Sequence, residues 1–291
     1  MDGMRDIDPD RPVLIAGPTA SGKSALAIEI ACAQGRVIIN ADALQVWSCW
    51  RVLSARPTTE DLARAPHHLF GHKDPGAEYS VGHWLREVAD ILAADPRPVI
   101  VGGTGLYLTA LTEGLAIIPG IPPEIRTEAN RLMAIAGPEA MLSALDPATR
   151  TRIDAKNPAR IQRAWEVQTS TGRGLADWQA NTGAGLLPEA AATRIWLDCD
   201  RDWLAQRIDA RFDAMIGAGA LDEVAAVLPR WDAQSPWARA IGAPGLVAYL
   251  QGVITLPDAI SAAKAASRQY AKRQRTWLRR RMQDWTALPR P

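Results

Sequence analysis

The segment GPTASGKS at residues 17–24 constrains this chain more than any other stretch. It fits the pattern G-x-x-x-x-G-K-[S/T]. It follows an apolar run, PVLIAG at 12–17, and opens a helical stretch from Lys23 to about Ala33. A glycine-containing loop between a strand and a helix aims successive backbone N–H groups, and the positive end of the helix, at one point. The result is an anion cradle. Gly17, Pro18, Thr19, Ala20, Ser21 and Gly22 form the loop, Lys23 adds a mobile positive charge, and Ser24 offers a hydroxyl that can hold Mg²⁺ beside a phosphate. The competing reading is a glycine turn without a ligand. The pattern does not say which phosphate compound binds, because nucleotide kinases, NTPases and some transferases share it.

The cradle predicts an α/β fold of the P-loop NTPase type, a parallel sheet core flanked by helices. RVIINAD at 36–42 and PVIVGGTG at 98–105 read as further strands. Between them, Ser80 is a candidate N-cap for a helix with Val81, Trp84, Leu85, Val88, Ile91 and Leu92 on one face. LYLTALTEG reads as a short helix stopped by Gly114. Strands separated by helices favour right-handed parallel crossovers. The character changes at PGIPP, 119–123, and stays helical to about 190, after which RIWLDCD at 194–200 reads as a strand. The expected division is therefore a core of 1–115 and 193–291 with a helical insertion at 116–192; a continuous second domain is the alternative.

With 291 residues and 47% hydrophobic content, a large core is possible. The longest apolar runs fall well short of the roughly 18 residues that span a bilayer. The N-terminus, MDGMRDIDPDRP, is polar, with no apolar stretch of the secretory type. Cys32, Cys49 and Cys199 are scattered and odd in number, which argues against a disulfide framework or structural zinc. A cytoplasmic monomer is the expectation, with no membrane partner. Net charge is only +1, yet residues 264–283 carry eight Lys or Arg and no acid. In the last helix, about 257–283, Ile260, Ala263, Ser267, Tyr270, Gln274 and Trp277 form one stripe. Lys264, Arg268, Lys272, Arg275 and Arg279 form another. Basic residues interleaved with aromatics suit nucleic acid; a solvated helix face is the competing reading.

Asp42 ends the second expected strand, at the sheet edge where ligands of open α/β sheets bind. It can act as a general base, stand behind a Mg²⁺, or cap a helix. Thr104, in GGTG at 102–105, either caps a helix or meets substrate. No strand ends in the Asp-Glu pair of a motor or switch NTPase; Asp198 lacks the following Glu.

Taken in order, these motifs resemble the tRNA dimethylallyltransferase (tRNA isopentenyltransferase) family, bacterial type, from Pro12 to Trp285. The matching segments are GPTASGKS, NADALQVW at 40–47, HHL at 67–69 with DPGAEYS at 74–80, GGTGLYLTALTEGL at 102–115, NPARIQRAWEVQTSTG at 157–172, RDWLAQRIDARFDAMIGAGALDEV at 201–224 and SRQYAKRQRTWLR at 267–279. The last is the most discriminating, since P-loop kinases have no reason to carry it. Departures are Ala43 for Ser, Trp47 for Tyr, Ser54 and Arg56 in VLSARP, FGHKDP without an acid, and IGAPGL at 241–246.

The resemblance implies transfer of a dimethylallyl group from dimethylallyl diphosphate to the exocyclic amine of the adenine 3′ to the tRNA anticodon. Thr19, Lys23, Ser24 and Mg²⁺ would steady the leaving diphosphate, aided by Arg207 or Arg211, and Asp42 would take the proton. Asp42, Ala43, Leu44, Gln45 and Thr104 would meet the flipped adenine. In the insertion, Arg126, Ala159, Arg160, Ile161, Gln162 and Arg163 would contact the anticodon stem-loop. Arg268, Lys272 and Arg275 would hold its backbone. Two other readings remain: prenylation of free adenine nucleotides, and a P-loop kinase or nucleotide-gated RNA-binding module.

Overall fold

Four short apolar segments become the centre of one sheet. In the computed structural model, which describes residues 7–291, the polar stretch 1–6 lies outside the described residues. The chain runs β1 (Val13–Ala16), α1 (Lys23–Gln34), β2 (Ile38–Asn40), α2 (Thr59–Arg64), β3 (His67–His68), α3 (Val81–Ala94), β4 (Val99–Gly102) and α4 (Gly105–Glu113). Four helices follow: α5 (Pro123–Ser143), α6 (Pro147–Arg152), α7 (Pro158–Thr171) and α8 (Leu175–Ala180). The chain then continues through β5 (Thr193–Cys199), α9 (Arg201–Gly217), α10 (Ala220–Val227), α11 (Ala243–Leu250), α12 (Leu256–Arg281) and β6 (Thr286–Arg290). All six strands pair in parallel, in the order β3-β2-β4-β1-β5-β6.

Every side chain of β1 is buried because both sheet faces are covered. Alternation sends Val13 and Ile15 to one face, with Val99, Val101, Leu197 and the helical residues Leu26, Ile30, Leu204 and Ile208. Leu14 and Ala16 face the other way, with Ile100, Trp196, Trp84, Val88, Leu108, Leu111 and Leu278. A third cluster gathers Val46, Trp47 and Trp50 with Phe212, Val224, Trp237, Leu246 and Val247. Trp50 and Trp84 are fully buried, and each satisfies its indole N–H on a backbone carbonyl, Trp237 O at 2.8 Å and Asn40 O at 2.7 Å respectively. Trp84 thus ties α3 to the end of β2, next to Asp42.

The caps follow the sequence. Gly22 (φ 89°) precedes α1, the Ser80 hydroxyl accepts from His83 N before α3, and Gly114 (φ 95°) follows α4. Two strands have no clear sequence signal. β3 has only two residues, and β6 is an edge strand containing Pro289, whose missing N–H is tolerated only there. Strand β2 stops at Asn40, so Asp42 lies in the loop beyond it rather than on the strand.

The chain forms two compact units, Met1–Leu111 with Leu187–Pro291, and Thr112–Leu186. The second begins and ends a few residues before 116–192, because Leu187 and Ala192 pack in the sheet's core. Its own core joins Ala129, Met141 and Ile161. Gly137 (φ 74°) and Pro138 break α5, Asp146 caps α6 through Thr149 N, and Asn157 caps α7 through Arg160 N. Among the described residues, no helix is long and apolar enough to cross a membrane.

Candidate active site

The parallel topology leaves the carboxyl ends of β1, β2 and β4 side by side, and their loops build one site. The loop after β1 folds as a cradle: Ala20 (φ 63°) and Gly22 (φ 89°) take the left-handed conformation that turns backbone N–H groups inward. The backbone at Gly17 packs closely, since an added Cβ would lie 2.7 Å from the Ser21 hydroxyl and 3.3 Å from Leu197 Cβ. That hydroxyl is buried without a hydrogen-bond partner at the base of the loop. No acid occupies the first turn of α1, so nothing competes with an incoming anion for the positive helix end.

A cavity of about 380 Å³ opens on this loop. Thr19–Ser24, Asp42, Arg207 and Arg211 line its polar side, and Leu53, Ile208, Phe212, Met215 and Ile241 its apolar side. Arg207 and Arg211 lie one turn apart on α9. Arg207 Nε donates to Ala20 O at 2.9 Å and its guanidinium lies 4.7 Å from the Trp203 ring centroid. Arg211 has its pKa lowered by burial, opposed by Asp42 and reinforced by Arg207.

Lys23 donates to Pro18 O at 3.3 Å. Loss of solvent pushes its ammonium down to about 8; Asp42 opposes the shift and Arg211 adds to it. A diphosphate in the cavity favours the charged form. Above about pH 8, binding must therefore bring a proton with it. Affinity for inorganic diphosphate should fall about tenfold from pH 7 to about pH 9. Calorimetry in two buffers of different ionisation enthalpy measures the uptake; Lys23→Met should lose the pH dependence.

Asp42 sits in a tightly held loop. Its N–H donates to Asn40 Oδ1 (2.8 Å), its Oδ1 accepts from Leu44 N (3.0 Å), and Ala43 N donates to Thr104 Oγ1 (2.9 Å). Asp42 lines the cavity and, among the described residues, is the only acid there. Thr104 is thus a support of the Asp42 loop. The Gln45 amide likewise donates to Ser54 O and Ala55 O, both at 2.9 Å, bracing the cavity wall. Glu223 on α10, which the sequence reading passed over, accepts from the N–H groups of Arg51, Val52 and Leu53 and fixes the same wall. Only its place in the 201–224 segment signalled it.

Within Thr112–Leu186, Arg126, Ala159, Arg160 and Arg163 are exposed. Ile161 is not available as a side-chain contact, because it is 1% exposed in that unit's core. The Gln162 amide donates to Asn130 Oδ1 (2.8 Å) and Glu166 Oε1 (3.2 Å). The basic stripe of α12 also needs correction. Lys264, Arg268 and Arg279 pair with Asp213, Asp209 and Asp198, so much of its charge is neutralised at home. Arg275 is half-buried, while Lys272 is exposed. Asp198, spent on Arg279, is not a metal-binding acid of the NTPase kind. Gln274, expected among the packing stripe, instead reaches the P-loop.

Among the described residues no group of three or more His, Cys, Asp or Glu could hold a metal ion. A divalent ion here would need oxygens from a bound diphosphate beside the Ser24 hydroxyl, which suits Mg²⁺ and its preference for phosphate and water.

An anion cradle with one carboxylate beside it and an apolar wall opposite suits group transfer, and the chain is a transferase with a P-loop type of core. Its sequence matches the model of the IPP transferase family over residues 45–281, and that of the isopentenyl transferase family over residues 11–68. The chain belongs to the IPP transferase family, that of the tRNA dimethylallyltransferases. The tRNA dimethylallyltransferase of Cereibacter sphaeroides (strain ATCC 17025) is 62% identical over 285 residues, covering 98% of each chain. That of Paracoccus denitrificans is 59% identical, covering 97% of this chain and 95% of the other. The solved tRNA isopentenylpyrophosphate transferase of Bacillus halodurans is 30% identical, with a TM-score of 0.68, covering 96% and 90%. A eukaryotic dimethylallyltransferase solved acting on tRNA shares the fold, with a TM-score of 0.80 at 24% identity, covering 96% and 73%.

Proposed function

We propose that this protein transfers the dimethylallyl group of dimethylallyl diphosphate to the exocyclic amine of the adenine 3′ to the anticodon in tRNA. The observation that carries the reading is one cavity bounded by the P-loop, Asp42, two arginines and an apolar wall. The diphosphate lies in the cradle, held by loop N–H groups, Lys23 and the guanidinium of Arg211, with Arg207 bracing the loop at Ala20. The five-carbon tail lies along Leu53, Phe212 and Met215. The amine nitrogen attacks C1 of the allylic group as the C1–O bond breaks. The electron pair leaves on diphosphate, where fixed positive charge stabilises it. The amine proton passes to Asp42, the acid that lines the cavity. Ser24 would hold a Mg²⁺ ion, which would supply further charge neutralisation when bound.

On the acceptor side, the exposed Arg126, Arg160 and Arg163 would grip the anticodon stem-loop. On α12 the grip falls to Lys272 with its exposed neighbour Arg273, rather than to Arg268 and its salt bridge. Lys272→Gln with Arg273→Gln should weaken tRNA binding and reduce the slope of log K against log salt by about 1–2. Filter binding at several salt concentrations tests this, and an unchanged slope would make that face merely solvated.

A further inference from the structure

The side chain of Gln274 reaches two loops at once. It projects from the middle of α12 and is 6% exposed. Its Oε1 accepts from Thr19 N in the P-loop at 2.9 Å, and its Nε2 donates to Gly103 O in the turn after β4 at 2.9 Å. The approach is so close that a Cβ on Gly103 would lie 2.3 Å from the Gln274 nitrogen and 3.2 Å from Gly17 O. One turn earlier, Tyr270 lies close to the Thr104 and Gln274 side chains. Thr104 in turn accepts from Ala43 N, next to Asp42. One turn later, Trp277 packs where any Cβ on Gly105 would sit, 2.6 Å from its ring. Tyr270, Gln274 and Trp277 fall at i, i+4 and i+7, on one face of one helix.

That face therefore joins the loop expected to hold the leaving group to the turn that holds the base. A helix side chain that merely filled space here would be apolar. A buried amide costs free energy unless both its ends are paired, and here the donor and the acceptor each meet a different loop. We propose that Gln274 is a positioning residue for the transfer reaction. It locks the P-loop backbone at Thr19 to the Gly103–Thr104 turn, so that the diphosphate cradle and the Asp42 carboxylate keep one separation. This rests on the proposed function. Its consequence is specific: loosening the lock impairs use of the donor while leaving the tRNA grip intact.

Two variants read it. Gln274→Met keeps the size and removes both hydrogen bonds. Gln274→Glu keeps the acceptor for Thr19 N–H but turns a carboxylate oxygen to the Gly103 carbonyl; protonated, it regains the donor. In steady-state transfer assays, Gln274→Met should lose about tenfold or more in kcat/KM for dimethylallyl diphosphate, with tRNA Kd within about twofold. Gln274→Glu should recover toward wild type as pH falls from about 8 to about 6, a profile Gln274→Met does not share. Calorimetric binding of inorganic diphosphate should weaken about tenfold in Gln274→Met and needs no transfer assay. It separates the two ideas: wild-type protein that binds diphosphate but transfers nothing overturns the proposed function, not the lock. Donor kinetics and diphosphate affinity in Gln274→Met within twofold of wild type would overturn the lock. So would losses that track only a lowered thermal midpoint and appear equally in tRNA binding.

Discussion

Asp42→Ala will lower prenyl transfer by about a hundredfold to ten-thousandfold while tRNA binding changes no more than a few-fold. Hydrogen bonds fix the loop around Asp42: Asp42 N to Asn40, Asn40 Nδ2 and Gln45 N to the Asp42 carbonyl, Leu44 N to the carboxylate, and Ala43 N to Thr104. Only the one made by the carboxylate itself is lost with the side chain. The loop keeps the others, and Trp84 still holds the Asn40 carbonyl at 2.7 Å. The cradle keeps its backbone, though Lys23 loses the carboxylate that opposes its downward shift, so donor binding survives while the proton acceptor is gone. Asp42→Asn sharpens the test, since it retains the shape without the basicity. Single-turnover transfer of labelled donor reads the chemical step directly. Near-wild-type turnover in either variant would remove Asp42 from the base role.

Lys23→Met will raise donor KM and lower kcat together, with about a hundredfold to a thousandfold loss in kcat/KM. The negative charge on the bridging oxygen grows as the C1–O bond breaks, so a fixed cation gains most at the transition state. The loss falls short of total because Arg211, the loop N–H groups and the end of α1 still face the diphosphate. Methionine matches the stem of lysine, and Lys23 makes only one long side-chain hydrogen bond, at 3.3 Å, so folding should be unaffected. A KM change without a kcat change would assign Lys23 to ground-state binding alone.

The cradle was legible because its physics is local. Glycines that allow φ near 90°, a lysine at the first helical position and an apolar strand behind it all occur within a dozen residues. Strands β1, β2, β4 and β5 were legible for the same reason, as were the caps at Ser80 and Gly114. What the sequence hid was pairing at a distance. Lys264, Arg268 and Arg279 read as a free basic stripe because their acids, Asp213, Asp209 and Asp198, lie on α9 and β5. Gln274 read as packing because its partners are 171 and 255 residues away. Glu223 caps a loop 170 residues earlier, which no helical pattern announces. Ile161 has the opposite lesson: a position inside a recognised motif can belong to the core. Strand β6, five residues long with a proline, carries no alternation strong enough to separate it from a coil.

The most direct test incubates the purified protein with Mg²⁺ and labelled dimethylallyl diphosphate, in parallel with unmodified bulk tRNA, AMP and ATP. The account predicts label in tRNA alone, recovered after digestion as isopentenyladenosine. Label in AMP or ATP would move the activity to free nucleotides, and consumption of ATP without any transfer would contradict the account outright.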